Sequence, residues 1–87
     1  PGPLQMFHCL QTLDLSYNTE LTGRGLQQVT ALRNLHTLNL WYCPKLWSEE
    51  CFVPLKKIHT LRAINLEHWK HGHVRKHMPT VVLTDSL

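Results

Sequence analysis

The chain has 87 residues, of which 43% are hydrophobic and 17% charged, and it carries a formal net charge of +3. That length suits one small domain over residues 1–87, burying only about 60–65% of its unfolded surface, and the composition is that of a globular rather than a disordered chain. No apolar run approaches the roughly 18 residues that span a bilayer, and the charge is too small to argue for nucleic acid by itself.

The start of the chain lacks the basic end and long apolar stretch of a secretory leader, but Leu4, Phe7 and Leu10 already follow one another at a spacing of three. Residues 10 to 18, LQTLDLSYN, then place leucines at Leu10, Leu13 and Leu15 and close on Asn18. Spacings of three and then two fit no single regular element. They fit a strand entered through a bend, with Leu13 and Leu15 on one face and Leu10 anchoring the approach. Further on, Leu26, Val29, Leu32 and Leu35 recur at three and read as a helical apolar stripe. Thr22 is placed to cap a helix over residues 24–32.

The phrase returns at Leu35, Leu38 and Leu40, closing on Cys43, 25 residues after the first. A second stripe follows at Phe52, Leu55, Ile58 and Leu61. Ser48 is its expected cap, with Glu49 and Glu50 in the first turn, and Pro54 suits a first helical position. The third phrase is Leu61, Ile64 and Leu66, ending at Trp69. Residues 67–80, EHWKHGHVRKHMPT, then break the pattern and read as an irregular, basic, histidine-rich loop. A fourth phrase, Met78, Val81 and Leu83, starts only 17 residues after Leu61. That is too short for a full helical return, although a short loop or single turn could still bring a strand beside the third. The ending is expected to be a natural C-terminal cap.

These phrases resemble the leucine-rich repeat, with its LxxLxLxxN/C core and period of 20–29 residues. The likeness covers residues 4–69 well and 78–85 weakly. Within the family it is closest to the cysteine-containing, F-box-type subclass, whose units continue through a short xxLT link, here Asn18 to Thr22 and Cys43 to Trp47. Only Cys43 carries the cysteine of that subclass; Asn18 and Trp69 hold its other places. The resemblance implies an α/β solenoid of about three and a half repeats, with parallel strands on the concave side and helices on the convex side. Residues such as Asn18 and Cys43 would donate to a neighbouring repeat's carbonyl at the turn leaving each strand.

The register assigns faces. Between the paired leucines stand Asp14, Asn39, Asn65 and Val82, and beyond them come Ser16, Trp41, Glu67 and Thr84, then Tyr17, Tyr42, His68 and Asp85. Asp14, Tyr17, Asn39, Trp41, Tyr42, Glu67 and His68 are therefore the candidate partner-binding residues, with Trp41, Tyr42 and Tyr17 as aromatic anchors on an open sheet. Lys70, Arg75 and Lys76 form a candidate basic patch. His68, His71, His73 and His77 are the residues that could hold a transition metal, although Gly72 argues against one continuous helix. A solvated loop is the expected state, and no metal or other cofactor is expected.

There is no glycine-rich phosphate loop, GxSxG elbow or HExxH, and Cys51 reads as a small core residue rather than a nucleophile, so no enzymatic role is expected. Cys9, Cys43 and Cys51 form no CxxC and leave an odd thiol, which points to a reducing, intracellular and specifically cytoplasmic setting. The expected function is a protein–protein interaction module whose concave face recruits a protein partner. The F-box-type resemblance implies substrate recognition in a ubiquitin-ligase scaffold. The alternative is a structural subunit of a larger, ribonucleoprotein-type assembly docked by the basic C-terminal end. Neither nucleic acid as direct partner nor a membrane is expected.

Overall fold

In each phrase three residues are extended: Thr12–Asp14 (β1), Thr37–Asn39 (β2), Ala63–Asn65 (β3) and Val82–Thr84 (β4). The computed structural model describes residues 9–85, so Leu4 and Phe7 of the first spacing-three run lie outside the described residues. The strands form one parallel sheet in the order β1-β2-β3-β4, and with the short helical segments between them they make an α/β fold. Parallel neighbours cannot be joined by a tight hairpin and need a crossover, which the helical segments supply.

Alternation sorts the side chains. Leu38, Leu40, Ile64 and Leu66 point inward and are buried, while Leu13, Leu15 and Leu83 are half-buried and pack on the same core. Threonine, valine and isoleucine at the strand positions suit the pleated backbone.

The crossovers correct the expectation of regular α-helices. Only Gly23–Leu26 (α1) is α-helical in the first crossover, and it runs straight into a 3-10 helix at Gln27–Ala31. Two 3-10 segments, Glu49–Cys51 and Val53–Lys57, make up the second. The cause lies in the spacing of the apolar residues. A strict period of three matches the three residues per turn of a 3-10 helix, not the 3.6 of an α-helix. The backbone bonds follow it, with Leu55 N–H donating to Phe52 O, Ile58 to Leu55 O and Leu61 to Ile58 O, each at 3.0–3.1 Å. Leu26, Leu32, Leu35, Phe52 and Leu55 are thereby all turned into the core.

Thr22 does cap α1, its Oγ1 accepting from the Gly25 N–H at 3.2 Å. Ser48 takes the extended conformation of a cap but makes no capping bond; its Oγ lies 3.5 Å from Cys51 Sγ. Pro54 falls in the first turn of Val53–Lys57, as expected. Gly23 lets the two crossovers touch, since a Cβ there would stand 3.1 Å from Cys51 Cα. Cys51 is half-buried against the core.

The irregular loop expected at residues 67–80 is ordered differently. A 3-10 turn at His68–Lys70 leads directly into a helix, His71–Arg75 (α2), with Gly72 inside it. Val74 and Met78 from this segment enter the core. This single turn is a sufficient crossover, and β4 pairs in parallel with β3. The register, however, differs from the phrase alignment. Ala63 pairs with Val82 and Ile64 with Leu83, so the return takes 19 residues rather than 17. The phrases by themselves match Ile64 with Val81. A slip of two leaves every side chain on its original face, so the hydrophobic pattern could not detect it. Among the described residues no helix is long and apolar enough to cross a membrane.

Candidate functional site

On the sheet face away from the helices, strand register lines up Asp14, Asn39, Asn65 and Thr84. Val82, expected in that row, instead sits beside Ala63, and Thr84 takes its place. The row is hydrogen-bonded across the strands. Thr84 Oγ1 donates to Asn65 Oδ1 at 3.1 Å, Asn65 Nδ2 donates to Asn39 Oδ1 at 3.1 Å, and Asn39 Oδ1 also accepts from the Trp41 N–H at 3.0 Å. Asp14 Oδ1 accepts from the Ser16 N–H at 2.8 Å. Hydrogen bonds from Ser16, side chain first and backbone second, hold the Asp14 carboxyl below the usual carboxylate range.

Beyond the row the chain turns sharply. Tyr17 and Tyr42 both adopt positive φ, 59° and 54°, which places their backbones in the left-handed region that bulky residues rarely enter. The turn sets their rings side by side, centroids 5.7 Å apart and tilted by 41°. The Tyr17 N–H reaches Trp41 O at 2.7 Å, tying one turn to the next. Two of the three expected anchors are thus brought together in the open. The third is not: Trp41 is half-buried beside the polar row.

Two aromatics that the register reading passed over are more exposed than the tyrosines. Trp47 is 69% and Trp69 61% exposed, against 59% for Tyr17 and 52% for Tyr42. All four lie in segments leaving a strand. Trp69 meets His73 edge-on, centroids 6.2 Å apart, and has Lys70 Nζ 5.1 Å from its ring centre. The signal for both was in the chain's own phrases: Trp69 stands where the earlier copies have Asn18 and Cys43, and Trp47 where the first has Thr22.

Just below this edge, Cys43 Sγ donates to Leu15 O at 3.2 Å, the inter-strand bond anticipated for that position. Burial pushes the Cys43 thiol up, which keeps it a protonated donor. Asn18 is used differently, its Oδ1 accepting from the Glu20 N–H. One segment later Lys70 donates from Nζ to Cys43 O at 3.0 Å.

That contact corrects the basic patch. Lys70 is only 1% exposed, with Glu67 Oε1 3.2 Å from its ammonium. The pair is close but off the line of a hydrogen bond, so the buried Glu67 Oε1 has a charge partner and no aligned donor. Lys76 pairs with Glu49. Arg75 alone of the three is exposed without an ion pair among the described residues. The patch is dispersed because the α2 turn that closes the core rotates its cations in different directions.

The histidines disperse too. His71 is buried with Nε2 3.1 Å from Leu66 O, and His73 stacks on Phe52. His77 Nε2 lies 3.0 Å from Glu49 Oε2. His68 stays exposed, 5.0 Å ring to ring from His71 and 3.6 Å from Asp85 Oδ2. Among the described residues no group of three His, Cys, Asp or Glu side chains could hold a metal ion.

Comparison with known proteins found no matching family model, no similar curated protein and no similar solved structure.

Proposed function

We propose that the chain is a short leucine-rich-repeat solenoid of the cysteine-containing type that recruits a protein partner, acting as a binding module and not as a catalyst. The observation that carries the reading is the set of exposed aromatics, Tyr17, Tyr42, Trp47 and Trp69, on segments leaving the strands. Large rings with few rotatable bonds supply contact area at low entropic cost, and here the backbone that presents them is ordered before any partner arrives. The hydrogen-bonded row of Asn39, Asn65 and Thr84 beside them offers directional polar contacts with little left to rearrange. The F-box-type resemblance extends the proposal to recruitment of a substrate for ubiquitin ligation. The alternative, docking of an assembly subunit through the basic C-terminal segment, loses support because Lys70 is buried and Lys76 is paired.

The test is capture of partners from cell lysate on the immobilised chain, followed by affinity measurement with the protein recovered. Tyr42→Ala and Trp69→Ala should each weaken that binding by about 2 kcal/mol or more, as interface anchors do. Arg75→Ala with Lys76→Ala should change it little. Binding retained by the aromatic variants, and lost with the basic pair in a strongly salt-dependent way, overturns the reading.

A further inference from the structure

On the opposite edge of the molecule, where the chain approaches the strands, Thr30, Arg33, Lys57 and His59 line one open cavity of about 400 Å3. We infer that this cavity is a binding site for a phosphomonoester. The inference is independent of the aromatic edge.

The first ground is the charge of the lining. Among the described residues, three of the four that line it are basic and none is a carboxylate. The acidic residues of the chain are Asp14, Glu20, Glu49, Glu50, Glu67 and Asp85, so residues 21–48 and 51–66 contain none. Four of the six are in ion contacts elsewhere: Glu20 with Lys45, Glu49 with Lys76 and His77, Glu67 with Lys70, and Asp85 with His68. Neither Arg33 nor Lys57 has an ion pair among the described residues, and both are exposed. Among the described residues no carboxylate competes with an incoming anion for them.

The second ground is geometry. Arg33 and His59 stand 26 residues apart, the same offset that pairs β2 with β3, so the two turns ahead of those strands present them side by side. Thr60 fixes the turns to one another, its Oγ1 donating to Arg33 O at 3.1 Å and to Leu35 O at 2.7 Å. Thr30 Oγ1 gives its proton to Gln27 O at 2.7 Å and serves as a wall rather than a donor. Arginine's fork grips two oxygens of a tetrahedral dianion, lysine adds a point charge and the imidazole a further N–H. The cavity is open to solvent, which leaves room for a phosphate's carrier.

Segregation argues against nucleic acid. Strands of phosphodiester are held by cations interleaved with aromatic platforms, and here the exposed tyrosines and tryptophans follow the strands while these cations precede them.

Isothermal titration of the whole chain with inorganic phosphate, phosphoserine, a phosphoserine peptide, its unphosphorylated twin and a short single-stranded RNA tests the site. Saturable phosphate binding is expected, weakened about tenfold or more in Arg33→Gln/Lys57→Gln. Lys56→Gln, one charge removed just outside the cavity, should leave it nearly intact. A peptide binding more tightly than free phosphate identifies a phosphorylated protein as the source, and equal affinities identify the small ion; both support the site. Amide shifts of the parent chain give a reading that needs no variant, and phosphate must move residues 30–33 and 57–60. The inference is overturned by any of four results: no saturable binding, equal loss in Lys56→Gln, equal affinity for the unphosphorylated twin, or tighter binding of RNA than of the phosphopeptide.

Discussion

Tyr42 shows how a single residue can be costly to the fold and still be held in place. A non-glycine residue in the left-handed region costs roughly 1–2 kcal/mol, and a tilted ring pair such as Tyr17 with Tyr42 returns about 0.5–1.5 kcal/mol. The two nearly cancel. Tyr42→Asn, whose side chain tolerates the left-handed region, is therefore expected to stay within about 1 kcal/mol of the parent in urea denaturation. Tyr42→Ile loses the ring and cannot sit easily at positive φ, and should be less stable than Tyr42→Asn by about 1 kcal/mol or more. Equal stability of the two variants would show that the backbone angle carries no strain.

Lys70 makes the opposite case. Lys70→Met leaves Glu67 without its charge partner and takes one of two donors from Cys43 O, which keeps the Leu46 N–H at 3.0 Å, and should cost about 3 kcal/mol, mostly through Glu67. Adding Glu67→Gln should restore more than half of that loss. A double variant no more stable than Lys70→Met would mean that the ammonium acts only through packing.

At the scale of elements, the Glu49–Cys51 turn and the end of α2 are clamped by one carboxylate. Lys76 first, and His77 second, hold the Glu49 carboxyl below the ordinary glutamate range. A folded-state value lower than the unfolded one means that the clamp contributes fully above the ordinary range and is lost as pH falls through the lowered value. Glu49→Gln is thus expected to remove part of the acid-side loss in urea midpoint and to change little where the parent carboxylate would be protonated in both states. Because Glu49 is solvent-accessible, added salt should shrink the difference. Identical acid limbs for parent and variant would count against the clamp. The same scale exposes what the spacing of three meant. Read against a period of 3.6 it suggested α-helices, but a stripe held strictly at three through Phe52, Leu55, Ile58 and Leu61 is a 3-10 pattern, and the backbone bonds adopt it.

For the whole molecule, the sheet and the crossovers share one core. Leu38 lies in β2 between two neighbouring strands and is fully buried. Leu38→Ala is expected to cost about 2–5 kcal/mol, a large share of the stability of so small a domain, so its thermal transition should broaden or vanish. Coincident melts would refute the inward assignment. Much of this architecture was legible in the chain alone. Alternation at Leu13 and Leu15, Leu38 and Leu40, and Ile64 and Leu66 determined which residues face inward, and their recurrence every 25 or 26 residues determined that successive strands lie parallel. These are local, periodic properties, and periodicity survives in one dimension. The rest depended on what meets across the core. The β4 register slid by two at no hydrophobic penalty, so only the α2 crossover, which buries Val74 and Met78 in the core, could set it. Lys70 reads as one more cation in a basic run, and it is buried because the carbonyl of Cys43 and the carboxylate of Glu67, distant and near in sequence, converge on its ammonium. Charge and ring type are written in the sequence, but which of them reach solvent is decided by the turn that closes the core.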